Sequence, residues 1–132
     1  MREWDALRDC GHWSGVVPLR GATTSGDGVA EIATGGERVD LGAAIGMLAA
    51  RHGVRTVRVD SGGALTGALL RAGLVDEVSL LVHPCIAGAA GDRRWHGPGD
   101  LPPVTLERIG AEALEGGLTW LRFSAAGGAT GR

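Results

Sequence analysis

Between Gly53 and Gly73 the chain changes its period, and that change limits the folds open to it more than any other feature. Residues 54–59 alternate apolar and polar, the pattern of a strand with one buried face. After Asp60, Ser61, Gly62 and Gly63 the leucines Leu65, Leu69 and Leu70 recur at helical spacing, which predicts a helix from about 64 to 72 with Gly73 as its stop. A strand delivered through a glycine turn into a helix is one half of a βα unit. Such units place the next strand parallel to the first by a right-handed crossover, so an α/β architecture is expected.

The flanks extend this reading. Residues 16–19 form a short apolar run that predicts a strand, with Pro18 marking it as an edge. Residues 21–37 are rich in Gly, Thr and Ser and leave room only for a brief strand at 29–33, so the link between these two strands is too short for a helix. Asp40 is placed to cap a helix whose apolar positions are Leu41, Ala44, Ile45, Leu48 and Ala49, with Gly53 to end it. Residues 75–84 predict a further strand, central because Leu80, Leu81 and Val82 run without a polar break. A long Gly/Pro-rich loop follows at 86–103. Two alternating runs, 104–109 and 118–123, then flank Gly116 and Gly117 and predict an antiparallel hairpin. The Gly/Ala/Thr residues 125–132 predict a disordered tail. Taken together the elements predict a three-layer α/β/α protein, one folding unit over 1–132, with a mixed, mostly parallel sheet that ends in a hairpin. Trp4 and Trp13 near the start are expected to cover an apolar strand or a neighbouring subunit.

Composition removes several classes of function. All 13 basic residues are arginine, so a lysine Schiff base, a phosphate-loop lysine and a Ser-Lys pair are excluded. A net charge of −2 disfavours a nucleic-acid partner. The longest apolar stretch, 78–91, is broken by His83 and Pro84 and is shorter than the roughly 20 residues of a membrane span. The opening residues lack the pattern of a secretory leader, and two distant cysteines make no disulfide framework, so the cytoplasm is the expected compartment.

Chemistry concentrates at the strand-to-helix corner. The first amides of a helix have no intrahelical acceptor and stand at the positive end of its dipole, which suits a phosphate. Glycines there let an anion approach the backbone, and Ser61 or Thr66 can add a hydroxyl donor. A Gly-Gly corner also occurs for purely geometric reasons, and spacing alone does not choose between the two.

The run GVRTVRVDSGGALTGALLRAGLVDE, residues 53–77, resembles the NADPH-binding core of the pyrimidine reductases of riboflavin synthesis, the C-terminal reductase domain of the bifunctional deaminase-reductase. The helix start Val39-Asp40-Leu41 and the later Val82-His83-Pro84 with Gly88 fit the same pattern, so the likeness is strong over 39–91 and looser outside. The resemblance implies a dihydrofolate-reductase-like fold lacking its N-terminal portion, where that family carries its opening strand and most substrate contacts. It implies a homodimeric, NADPH-dependent reductase that converts the ribosyl group of a phosphoribosylamino-pyrimidine to ribityl. Ser61, Gly62, Gly63, Leu65 and Thr66 would be the cofactor-binding residues. Where the family places an acidic residue directly before the paired glycines, this chain has Ser61. No acid or base is singled out as catalytic, since in such enzymes the protein chiefly orients donor and acceptor. The competing reading is a non-catalytic dinucleotide-binding or assembly module.

Other groupings carry less. Cys10 with His12, and His83 with Cys85, are too closely spaced for a structural zinc site, so no metal is expected and the cysteines read as buried. Arg93, Arg94 and His96 form a basic cluster in the long loop, suited either to a substrate phosphate or to a solvated face. Asp60 and Asp76 lie near the glycine corner in sequence and read as structural. Ser14 and His12 lack the strand-turn-helix context of a nucleophile elbow.

Overall fold

The structure, a computed structural model, describes residues 6, 9–23, 31–88 and 93–126. Trp4, Leu7, Val29, Asp92 and the predicted tail from 127 onward lie outside the described residues. The chain divides into two compact units, Met1–Val57 and Arg58–Arg132.

In the first unit, β1 (Leu19–Gly21) and β2 (Ile32–Thr34) pair in parallel, with Leu19 opposite Ile32 and Gly21 opposite Thr34. Strand β1 begins after Pro18, later than the apolar run suggests. Proline has no N–H to give a ladder, and Pro18 contributes only its carbonyl, which accepts from the Ile32 amide at 3.0 Å. Beside the pair, Arg20 Nε donates to Glu31 Oε1 at 2.6 Å. Helix α1 (Leu41–His52) lies against β2, and Ile32 and Ala44 are each only 1% exposed. The Thr34 hydroxyl donates to the Asp40 carbonyl at 3.0 Å, which fixes the strand end to the helix start.

Both ends of α1 follow the sequence. The Asp40 carboxylate accepts from the Ala43 amide at 2.9 Å, and Gly53 closes the helix at φ 64°, where a residue with a Cβ is disfavoured. Asp40→Ala removes the acceptor and leaves that amide to water, so a loss of about 1 kcal/mol is expected in urea unfolding. An unchanged midpoint would show the cap to be idle.

In the second unit, α2 (Gly63–Arg71) precedes β3 (Glu77–Val82), and the hairpin of β4 (Thr105–Ala113) and β5 (Thr119–Ala126) follows. The sheet order is β3-β5-β4, antiparallel throughout, and Glu115–Gly117 form the turn with Gly116 and Gly117 at positive φ. A register shift between Arg108 and Gly110 leaves Ile109 as the extra residue of a bulge, half exposed. Leu69, Leu70, Val78 and Ala125 are the buried apolar residues of this unit.

Four expectations need correction. Residues 53–60 have no ladder partner among the described residues and form no strand; Val57 and Val59 are 45% and 39% exposed. Strand β3 is at an edge of its sheet and not at the centre, with Leu81 58% exposed. Parallel pairing among the described strands is confined to β1 and β2, so the sheet is not mostly parallel there. Pairing runs through Ala126, so Ala125 and Ala126 belong to β5 and not to a tail.

The solvent face of β3 and β5 is tied by diagonal side-chain pairs, each two residues off direct register. Arg122 donates to both oxygens of Glu77 at 2.7 and 3.0 Å, and Trp120 Nε1 donates to Ser79 Oγ at 2.8 Å. The hydrogen bond from Arg122 holds the Glu77 carboxyl below its ordinary pKa against an opposing desolvation, with a smaller contribution from the guanidinium charge. Glu77 in turn raises the pKa of Arg122.

Candidate functional site

The glycine corner begins α2 as expected, but its two glycines do different things. Gly62 is the N-cap, at φ −64° and ψ 161°, and no side chain caps the helix. The amides of the first turn therefore keep the unfilled donor capacity common to helix N-termini. A Cβ built on Gly62 would meet nothing within 4 Å, so this side of the corner is open. Ser61 and Leu65 are exposed, Leu65 at 38%, and Thr66 is half-buried with its amide 3.4 Å from the Gly62 carbonyl. Leu65 shares its helical spacing with Leu69 and Leu70, but the buried residues of the helix are Gly67, Leu69 and Leu70.

Gly63 is walled in. A Cβ there would meet the Gly97 nitrogen, lie 2.7 Å from the Gly97 Cα and 3.1 Å from the Arg94 carbonyl oxygen. One turn on, a Cβ at Gly67 would run into the His96 carbonyl oxygen. The contact is reciprocal, since a Cβ at Gly97 would stand 2.6 Å from the Gly63 carbonyl atoms and 2.9 Å from the Ala64 nitrogen. Backbone thus lies directly on backbone, and residues 94–97 form a back wall to the first turn of α2. The wall is itself closed by a bond from the Gly97 amide to the Arg94 carbonyl, 2.9 Å.

Sequence reasoning placed Ser61, Gly62, Gly63, Leu65 and Thr66 at the corner but missed Gly67 and Gly97. One signal was available. A glycine inside a helix costs up to about 1 kcal/mol relative to alanine, so Gly67, four residues after Gly63, needs a reason of its own, and close approach supplies it.

The basic cluster is only partly brought to this place. The main chain of Arg94 touches the corner, Arg93 is exposed, and His96 is half-buried with Nδ1 buried and without a hydrogen-bond partner. The His96 ring meets Trp95 edge to face at 5.3 Å. Beyond Trp95 an apolar hollow of about 220 Å³ is lined by Leu70, Trp95, Leu101, Pro102, Val104 and Leu106; none of the five corner residues lines it. Cys10 and Cys85 are exposed and not buried, and the described residues hold no group of metal-ligating side chains. Asp60 pairs with Arg58 at 2.9 Å in solvent, and the main-chain carbonyl of Asp76 accepts from the Ala125 amide at 3.0 Å. No helix among the described residues is long and apolar enough to cross a membrane.

The family model of the RibD C-terminal domain matches residues 16–120, across both units and the glycine corner. The chain belongs to that family. Solved structures agree on the fold. A pyrimidine reductase-like protein from Corynebacterium diphtheriae superposes with a TM-score of 0.67 at 16% identity, covering 83% of this chain and 49% of that one. A candidate riboflavin biosynthesis protein from Shewanella sp. PV-4 gives 0.57 at 20% identity over 92% of this chain and 68% of that one. Acinetobacter baumannii RibD gives 0.57 at 18% identity over 72% of this chain and 27% of that one. The chain therefore spans about half the length of the first of these structures. No curated protein matches it. The α/β fold of RibD-type reductase domains is thus established for this chain.

Proposed function

We propose that this chain is the cofactor-binding portion of a riboflavin-pathway reductase, taking the diphosphate of NADPH at the corner formed by Ser61, Gly62 and Gly63. The observation that carries the reading is the open side of Gly62 over an uncapped helix start, in a chain of the RibD C-terminal family. The residues present fit such a group. Gly62 lets an anion reach the main chain, the amides of Gly63, Ala64 and Leu65 donate, and the hydroxyls of Ser61 and Thr66 stand within one turn of them. When bound, NADPH supplies the hydride that turns the ribosyl group of a phosphoribosylamino-pyrimidine into ribityl. The chain's own share is to hold and orient the dinucleotide and to keep its phosphates on preorganised donors. A homodimer working in the cytoplasm on a small-molecule pyrimidine completes this reading.

The test is titration with NADPH, followed by cofactor fluorescence and thermal melting. Saturable binding with a rise in melting temperature is expected, because a ligand that binds only the folded state stabilises it by mass action. Absence of both effects would remove the reductase reading for this chain. Binding without turnover of the pyrimidine would favour a non-catalytic dinucleotide-binding module.

A further inference from the structure

We infer that Gly67 and Gly97 are positioning residues for the dinucleotide, acting through the back wall 94–97 that they seat against the first turn of α2. The inference rests on the proposed use of the corner by NADPH. Its basis is the place where the wall makes contact. Gly97 lies on the carbonyl of Gly63 and the nitrogen of Ala64, which are the two halves of one peptide group. That peptide carries the Ala64 N–H, a first-turn donor, and because a peptide is planar the donor's direction follows the plane. The wall therefore holds the plane that carries this donor.

Gly67 sets the height of the wall. The His96 carbonyl oxygen rests where a Cβ of residue 67 would be, and His96 is joined directly to Gly97. The bond from the Gly97 amide to the Arg94 carbonyl, 2.9 Å, closes the segment into a turn that moves as a piece. A methyl group at 67 must push His96 off the helix, by roughly 1 Å to restore ordinary van der Waals contact. Gly97 moves with it and releases the Gly63–Ala64 peptide. Arg71 has a guanidinium nitrogen 3.2 Å from the Cβ position of Gly67 and 3.7 Å from that of Gly99, so it flanks the contact, but it is exposed and free to swing aside; the resistance comes from the His96 main chain.

The experiment compares the wild-type chain with Gly67→Ala and with Gly46→Ala, a glycine of α1 whose added Cβ meets nothing within 4 Å. NADPH titrations give both affinity and the number of sites per chain. The expectation is a Kd raised about tenfold or more for Gly67→Ala, the loss of one charge-assisted hydrogen bond, at an unchanged number of sites. Gly46→Ala should keep the wild-type Kd. A purely structural lesion would lower the number of sites and leave the Kd of the remainder alone, and that result would overturn the inference. A second measurement needs no variant. In hydrogen exchange on the wild-type chain, NADPH should slow the amides of residues 94–97 together with those of 63–66. Protection confined to 63–66 would overturn the coupling. A wild-type chain that does not bind NADPH would overturn the proposed function itself, whereas wild-type binding with equal affinity in Gly67→Ala would overturn only the role of the wall.

Discussion

Gly63→Ala is expected to destabilise the unit Arg58–Arg132 by about 2–3 kcal/mol, although alanine is the better helix former. On propensity alone the substitution should help by some tenths of a kcal/mol, so the sign of the effect separates the two causes. The added Cβ would meet the nitrogen and Cα of Gly97 and the carbonyl oxygen of Arg94, all main-chain atoms that have no rotamer to yield with. Relief requires residues 94–97 to lift from α2, and the Gly97 amide to Arg94 carbonyl bond resists a piecemeal shift. For a unit of this size a loss of that order lowers the melting temperature by roughly 10 °C or more. Thermal melting by circular dichroism checks it. A variant that melts with the wild type would mean that the back wall is not seated on the helix in solution, and the account of Gly67 and Gly97 would fall with it.

How far the fold could be read in advance follows from where the determining partners lie. Helix α1 was legible because its signals are local: Asp40 caps the amide three residues on, and Gly53 stops the helix in the left-handed region. The hairpin was legible for the same reason, since Gly116 and Gly117 sit between its own two strands. Residues 54–59 show the opposite case. Their alternation reports an amphipathic extended chain, but a strand also needs a neighbour to complete its hydrogen bonds, and sequence carries no sign of whether one is there. The apolar run Leu80 to Val82 misled in a similar way. It suggested burial on both faces, yet β3 is an edge strand with Leu81 58% and Val82 47% exposed.

The candidate site was half legible. A phosphate-binding glycine and a packing glycine look alike in sequence, and the wall that distinguishes Gly63 from Gly62 comes from residues about thirty positions later in the chain. Only the contact geometry divides the pair into one glycine that leaves space open and one whose space is filled.

That division makes Gly62→Ala the more informative functional variant. At φ −64° and ψ 161° the backbone of Gly62 suits any L-residue, and its Cβ would meet nothing within 4 Å, so the fold should tolerate alanine. Stability should change by no more than about 1 kcal/mol, because alanine narrows the unfolded ensemble but is a poorer N-cap than glycine. The methyl group would, however, occupy the space through which a phosphate approaches the first-turn amides, and hold it away from them. Hydrogen bonds between amides and an anion weaken steeply with distance, so NADPH affinity should fall about tenfold to a hundredfold. Because a change of that size leaves the free variant folded at the temperature of the titration, a weaker Kd could not be put down to unfolding. Equal NADPH affinity in Gly62→Ala and the wild type would place the diphosphate elsewhere and leave the open side of this corner without a ligand.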